Sequence, residues 1–250
     1  MDDFLAVFMP FLFIHMLADF YLQPNKWITE KKQHTYRSAA LYYHSILHGI
    51  LLLIPALILG LDWRSTLCLV TIVAISHFVI DWWKVTKVNG DSLSYFVIDQ
   101  ALHICVLAMI AFHMTEGLTI SSVLGNKKFS DIVLIGFAYL LVLKPTSIVI
   151  SAVLKNYPVP ENNPCAEGIV SGGKLIGYLE RVLILTFTLV GSYAAVGFVL
   201  AAKSIFRFGE LNKQEGRSMT EYVLIGSLVS VVFTTLLGTL VSLALGIKIK

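Results

Sequence analysis

Charged side chains are scarce in this sequence. Asp, Glu, Lys and Arg make up only 14% of its 250 residues, whereas 56% are hydrophobic, and the mean hydropathy is +0.77. Soluble globular domains carry about 25% charged residues, so this composition excludes them and is typical of a chain that lies in a bilayer. The long apolar runs leave only short loops, which excludes a soluble catalytic or receptor domain of ordinary size. Any chemistry must therefore be done by the membrane helices.

Cysteine and excess positive charge are also in short supply. Cys68, Cys105 and Cys165 show neither metal-binding nor redox spacing, which excludes a disulfide framework. The formal charge is only +3, and the basic residues form no stripe with aromatic residues, which argues against nucleic acid as a partner. The chain opens Met-Asp-Asp-Phe, without the positive charge of a secretory signal, so we expect its first apolar run to remain as a helix.

Apolar runs of membrane-spanning length fill most of the chain. They are too long and too uniformly apolar for barrel strands, so we predict an all-α polytopic helical membrane protein with 7–8 transmembrane helices. The longest run is expected to divide near Gly191 into two short helices, which favours eight. The predicted runs are 4–23, 39–61, 66–86, 93–115, 130–154, 174–207 and 220–247.

Lysine and arginine cluster after the first and third of these runs. Loops rich in these residues face the cytoplasm in most membrane proteins, so we expect the N-terminus to lie outside. The basic residues are Lys26, Lys31, Lys32 and Arg37 after the first run, and Lys84 and Lys87 at the end of the third.

Histidine and aspartate recur at four-residue spacing within the first four runs. Five of the seven histidines have a His or Asp four positions away, whereas about one in eight would by chance. Residues at this spacing share one face of a helix, so each pair projects together. The pairs are His15 with Asp19, His44 with His48, His77 with Asp81, and Asp99 with His103.

These pairs should meet at one level of the membrane. The first and third lie near the ends of their helices, and the second and fourth lie near the starts of theirs, which is the same leaflet in an up-down-up-down bundle. The spacing also repeats, since the first and third pairs are 62 residues apart and the second and fourth 55. We therefore predict an N-terminal four-helix bundle of two repeated hairpins over residues 1–116. Residues 117–250 would form further membrane helices of unknown role.

The five imidazoles and three carboxylates predict a metal site toward the cytoplasm. One tetrahedral metal takes four ligands, so these eight residues favour a pair of ions. The predicted ligands are His15, Asp19, His44, His48, His77, Asp81, Asp99 and His103. Imidazole-rich ligation favours two divalent transition-metal ions, zinc first and iron or manganese as alternatives.

Further roles at this site can be assigned from position along the helices. Asp81 or Asp99 would bridge the metals or act as the base. Gln23 would continue the face of His15 and Asp19 by one more turn, and Lys84 lies seven residues beyond His77, so both would rim the site. Lys84 and Arg37 are the predicted ligands of a substrate anion, although basic residues also sit at membrane edges for orientation alone.

The spaced His and Asp pairs, together with Gly197 to Phe208 (GFVLAAKSIFRF), carry a family resemblance. The chain resembles, over most of its length, an uncharacterised bacterial polytopic membrane family catalogued as a domain of unknown function. The paired His and Asp residues of the first half are more distantly similar to those of predicted inner-membrane metal-dependent hydrolases. The resemblance implies a bacterial inner (plasma) membrane location and a hydrolytic role, without identifying a substrate.

These observations predict a membrane-embedded metal-dependent hydrolase with a dinuclear site, acting on a membrane lipid or lipid-linked ester or phosphoester. A homo-oligomer is compatible with the sequence. The main alternative is a divalent-metal transporter, which would need a site reached alternately from both sides. A di-iron oxygenase and a structural metal bundle that supports a partner also remain open.

Overall fold

The computed structural model describes residues 2–115, 127–155, 157, 166–208 and 217–247, and within these ranges the chain is helical without strands. The all-α prediction is therefore confirmed for this part of the chain. The α-helices are α1 (Asp2–Leu17), α2 (Asn25–His34), α3 (Ala39–Leu51), α4 (Leu53–Ile58), α5 (Trp63–Val85), α6 (Leu93–Thr115), α7 (Lys127–Leu154), α8 (Ala166–Leu189), α9 (Tyr193–Phe208) and α10 (Arg217–Ala244).

Six helical segments of the described residues are long and apolar enough to cross a membrane. Their limits agree within a few residues with six of the runs predicted from hydropathy, while the total of 7–8 spans stays a prediction. The segments are Phe4–Leu22, Ala39–Ile58, Trp63–Val85, Leu93–Thr115, Lys128–Leu154 and Tyr222–Ala244.

The predicted break in the long run 174–207 is present. Helix α8 ends at Leu189 and α9 begins at Tyr193, with Gly191 between them at a φ of 78°. This left-handed conformation strains residues that carry a Cβ but not glycine. The backbone amide of Ser192 donates to the carbonyl of Phe187 at 2.8 Å, which closes the turn.

The chain divides into two compact units, residues 1–137 and 138–250. The predicted boundary between residues 116 and 117 lies outside the described residues. The first turns of α7, up to residue 137, belong to the first unit, and within it Phe129 packs against the buried core. In the second unit α8 packs against α9 and α10.

Four long helices of the first unit form a closed ring. Helix α1 packs against α6, α6 against α5, α5 against α3, and α3 against α1. Helices α3 and α5 approach closely at Gly49, where an added Cβ would lie 3.1 Å from the carbonyl oxygen of Val70. A larger residue there would require the neighbouring atoms of α5 to shift by a few tenths of an ångström.

Each helix of the ring buries a stripe of residues four positions apart, and α1 and α3 bury further residues beside this stripe. Half of every stripe is apolar and forms the core, and the other half carries the His and Asp pairs. The core therefore closes one end of the ring, and the polar residues lie at its other end. The apolar halves are Val7 and Phe11 of α1, Leu52 and Ala56 where the chain continues from α3 into α4, Leu69 and Val73 of α5, and Leu107 and Ala111 of α6.

Short elements complete the first unit around the polar end. A five-residue π-helical turn, Ala18–Leu22, extends α1. Glu30 of α2 then accepts hydrogen bonds from the Ser38 hydroxyl and the Ala40 amide, both at 3.2 Å, and so caps the start of α3. At the opposite, apolar end of the ring, Asp62 caps α5 by accepting from the amides of Arg64 and Ser65. The hydrogen bonds from Ser65 lower the pKa of the Asp62 carboxyl below its usual value.

Candidate metal centre

The eight predicted ligands are brought together at the polar end of the ring. All are buried except Asp19, which is nearly so. The rings of the five histidines lie close together, with centroids 3.6 Å apart for His48 and His77 and 4.0 Å apart for His77 and His103. The predicted convergence of the four pairs on one level is thus what the structure has. Whether they hold metal remains a prediction.

Asp19 lies at the middle of the histidines. Its Oδ1 atom is 3.1 Å from Nε2 of His44, 3.0 Å from Nε2 of His48 and 3.3 Å from Nε2 of His77. Its Oδ2 atom is 3.6 Å from Nε2 of His15. Two ligands of one tetrahedral zinc ion, each about 2.0–2.1 Å from the metal, are about 3.3–3.4 Å apart. The distances from the Asp19 oxygens to the histidine nitrogens are therefore close to the distance between two ligands of a tetrahedral zinc ion.

Asp19 owes part of its position to the π-helical turn in which it lies. Turns of this kind are rare in proteins overall, but those that occur are often found at functional sites. They widen the helix locally. The turn also changes the course of the chain after Asp19. Gln23 follows the last helical residue in extended backbone, with φ −84° and ψ 113°. It does not continue the face of His15 and Asp19 as predicted, because the helix ends before it.

Five of the eight residues carry a buried polar atom that has no hydrogen-bond partner among the described residues. Such atoms are costly in a protein interior unless they bind a proton, a water or a metal. Nitrogen and carboxylate oxygen are the donor types that zinc and related ions prefer. The residues present thus fit a transition metal. The atoms are His15 Nε2, His44 Nδ1, His77 Nδ1, Asp99 Oδ1 and His103 Nε2.

The ligand atoms fall into three overlapping groups among the described residues. Within each group all ligand atoms lie within 4.8 Å of one another. The first and third groups share no residue, and the second group connects them through His77, which it shares with the first, and Asp81, which it shares with the third. The groups are His15, Asp19, His48 and His77; His44, His77 and Asp81; and Asp81, Asp99 and His103.

Two lysines neutralise carboxylates of the third group. The ammonium group of Lys31, which is only 5% exposed, contacts Asp81 Oδ2. Lys84 Nζ lies 2.7 Å from Asp99 Oδ2, and its side chain is 25% exposed. Lys84, which was predicted at the rim of the site, is thus partly exposed and in contact with a predicted ligand. Lys31 was predicted only as one of the basic residues after the first apolar run. The sequence of α2 has no His and Asp spacing of the kind that assigns residues of the long helices to the site.

Gln100 is a second residue that sequence analysis did not assign. Its Nε2 donates to Asp19 Oδ2 at 2.8 Å and to Asp99 Oδ2 at 3.2 Å, so one amide orients a carboxylate in each of the two separate groups. The sequence signal for Gln100 was its position directly after Asp99. Adjacent residues on a helix point in different directions, so this position did not predict that Gln100 belongs to the site. Outer ligands of this kind tune metal affinity.

Arg37 lies apart from the cluster in the contacts described for it. It is exposed, its Nε donates to the Tyr36 hydroxyl at 3.1 Å, and its guanidinium stacks on the Tyr36 ring. His34 and His113, which the spacing excluded from the site, are exposed.

The comparisons with known proteins give a family match in the N-terminal part of the chain. No curated protein and no solved structure matches the sequence. The match to a protein family covers residues 7–129, which include all eight predicted ligands, and does not extend to Gly197–Phe208. The expected resemblance over most of the chain is therefore too broad. Within residues 7–129 the chain is similar to the family described as Protein of unknown function (DUF3307).

Proposed function

We propose that this protein is a membrane-embedded hydrolase with a dinuclear metal centre, acting on a lipid or a lipid-linked ester. The observation that carries the proposal is the presence of two ligand groups without a common residue, one of four ligands and one of three. Four protein ligands complete a tetrahedral zinc shell, whereas three leave a position for water, which is the pattern of catalytic zinc.

The two groups would then have different tasks. The ion held by His15, Asp19, His48 and His77 would be enclosed by protein. The ion held by Asp81, Asp99 and His103 would supply an activated water at neutral pH. Asp81 and Asp99 are the carboxylates we assign to the reaction, as ligands and as acceptors of the proton of that water.

The location of the cluster supports a lipid substrate. Asp19 and Asp81 lie within one turn or so of the ends of the candidate spans Phe4–Leu22 and Trp63–Val85. The level at which a span ends is that of lipid head groups and ester bonds. A fully aqueous substrate would not need a site enclosed by membrane helices. We also propose a bacterial inner membrane as the location. The polar end of the ring would face the cytoplasm, because basic residues lie around it.

The test uses the full-length protein, purified without chelator, loaded with zinc and reconstituted into lipid vesicles. We expect about two metal ions per chain by elemental analysis, and release of a water-soluble product from one of the vesicle lipids. Removal of metal by a chelator should stop the release, and Asp99→Asn should do so with the protein still folded. His34→Ala, which changes an exposed histidine outside the cluster, is the matched control. Two bound ions without turnover of any ester, combined with metal flux across the vesicles, would instead identify a transporter.

A further inference from the structure

The two lysines of the cluster are distributed unequally between the ligand groups. Lys31 contacts Asp81, and Lys84 contacts Asp99, so both ammonium groups serve the group of three ligands. In the described contacts, the carboxylate of the four-ligand group, Asp19, is surrounded by histidines and Gln100 instead.

This distribution gives the group of three ligands an excess of positive charge once it holds a divalent ion. The charges of Asp81 and Asp99 cancel those of Lys31 and Lys84, so the two charges of the ion remain uncompensated. Uncompensated charge is costly in a buried site, where the effective dielectric constant is low. If Lys31 and Lys84 served only to neutralise Asp81 and Asp99, their positive charges would repel the bound metal ion. A substrate that brings about two negative charges resolves this conflict.

The lysines also have the donors to bind such a substrate. An ammonium group has three N–H donors, and the described contacts of Lys31 and Lys84 use one carboxylate oxygen each. The remaining donors can bind phosphate oxygens, for which lysine is a frequent ligand. Lys84 is partly exposed and marks the side from which a head group enters, while Lys31 lies deeper.

We propose that Lys31 and Lys84 form the anion-binding part of the site and that its substrate is a dianionic phosphate monoester carried by a lipid. This inference rests on the proposed function. In the reaction, the oxygen of water forms a bond to phosphorus and the bond from phosphorus to the lipid oxygen breaks. One proton of the water passes by way of Asp81 or Asp99 to that lipid oxygen, and the other stays on the phosphate. The products are inorganic phosphate and a lipid alcohol.

The test measures binding of inorganic phosphate to the zinc-loaded full-length protein by calorimetry, with metal content determined on the same samples. We expect Lys31→Gln and Lys84→Gln to keep two zinc ions and to bind phosphate at least tenfold more weakly than the unmodified protein. Lys32→Gln is the matched control, since Lys32 is the next residue of α2 and pairs with the exposed Asp91. It should bind phosphate as the unmodified protein does.

A second comparison needs no variant and therefore does not depend on how Lys31→Gln folds. The unmodified zinc-loaded protein should bind phenyl phosphate, a dianion, at least tenfold more tightly than dimethyl phosphate, a monoanion. Equal binding of the two, or unchanged phosphate binding in Lys84→Gln, would overturn the inference while leaving a metal-dependent hydrolase intact. Failure of the unmodified protein to bind metal would instead overturn the proposed function.

Discussion

Lys31 is buried against Asp81, 50 positions further along the chain. A short polar helix thus contributes a charge to a site otherwise built by long membrane helices. Breaking a buried ion pair by removing one partner costs about 3–5 kcal/mol, because the other charge stays buried.

We therefore expect Lys31→Met to destabilise the metal-free protein by about 3–5 kcal/mol. With zinc bound the loss should be much smaller, since the metal then compensates Asp81. Unfolding in detergent, measured with and without zinc, checks this difference. An equal loss in both states would show that Lys31 does not interact with a metal ligand. Lys32→Met, on the exposed side of the same helix, should change neither value.

Metal content is the most direct prediction. The intact protein should carry about two transition-metal ions, and His48→Ala or Asp19→Asn should lose at least the ion of the four-ligand group. Chelation should lower the thermal stability, because a ligand that binds only the folded state stabilises it. Elemental analysis and a thermal melt provide the two measurements. Full metal content in both variants would rule out ligation by these residues.

Gln100 should act on both ion-binding groups together. Gln100→Leu removes the amide that contacts Asp19 and Asp99, and loss of such an outer ligand lowers metal affinity by about 10–100-fold. Competition with a chelator of known affinity measures the change. Gln33→Leu replaces an exposed glutamine on α2 and serves as the control. A lower affinity for only one of the two ions would argue against the bridging role.

The contact between α3 and α5 can be tested at Gly49. Gly49→Ala would place a methyl group 3.1 Å from the backbone oxygen of Val70, and overpacking of this kind costs about 1–3 kcal/mol. Because His48 and His77 face each other across the same contact, zinc affinity should fall as well. In Gly197→Ala the added methyl group meets nothing within 4 Å, so stability should rise by about 1 kcal/mol. Unfolding and zinc titration of both variants are the measurements.

Much of this arrangement could be predicted because membrane helices have simple rules. Hydropathy located the six candidate spans of the described residues, and four-residue spacing assigned His15, Asp19 and the other pair members to one face of each helix. The same spacing continues from each pair into the apolar core, for instance from His77 back to Val73 and Leu69. Because this face of each helix is buried along its whole length, few arrangements of the neighbouring helices are possible.

The remaining features depend on contacts that have no period in the sequence. Lys31 reaches Asp81 only because α2 folds back beside the ring, and a basic residue near a span is usually explained by topology alone. Gln23 was misplaced because the helix was extrapolated beyond Leu22. The π-helical turn at Ala18–Leu22 has no clear signal in composition, so neither the end of the helix nor its widening could be foreseen.

The π-helical turn at Ala18–Leu22 makes the site sensitive to the number of residues between Asp19 and α2. Each residue of an α-helix advances the chain about 100° around the helix axis, and each residue of a wider π-helical turn advances it by less. Deleting one residue after Asp19 would leave every candidate ligand in place, yet it would swing the start of α2 around the first helix and carry Lys31 away from Asp81. The number of residues between Asp19 and Lys31 is therefore under the same constraint as the side chains themselves.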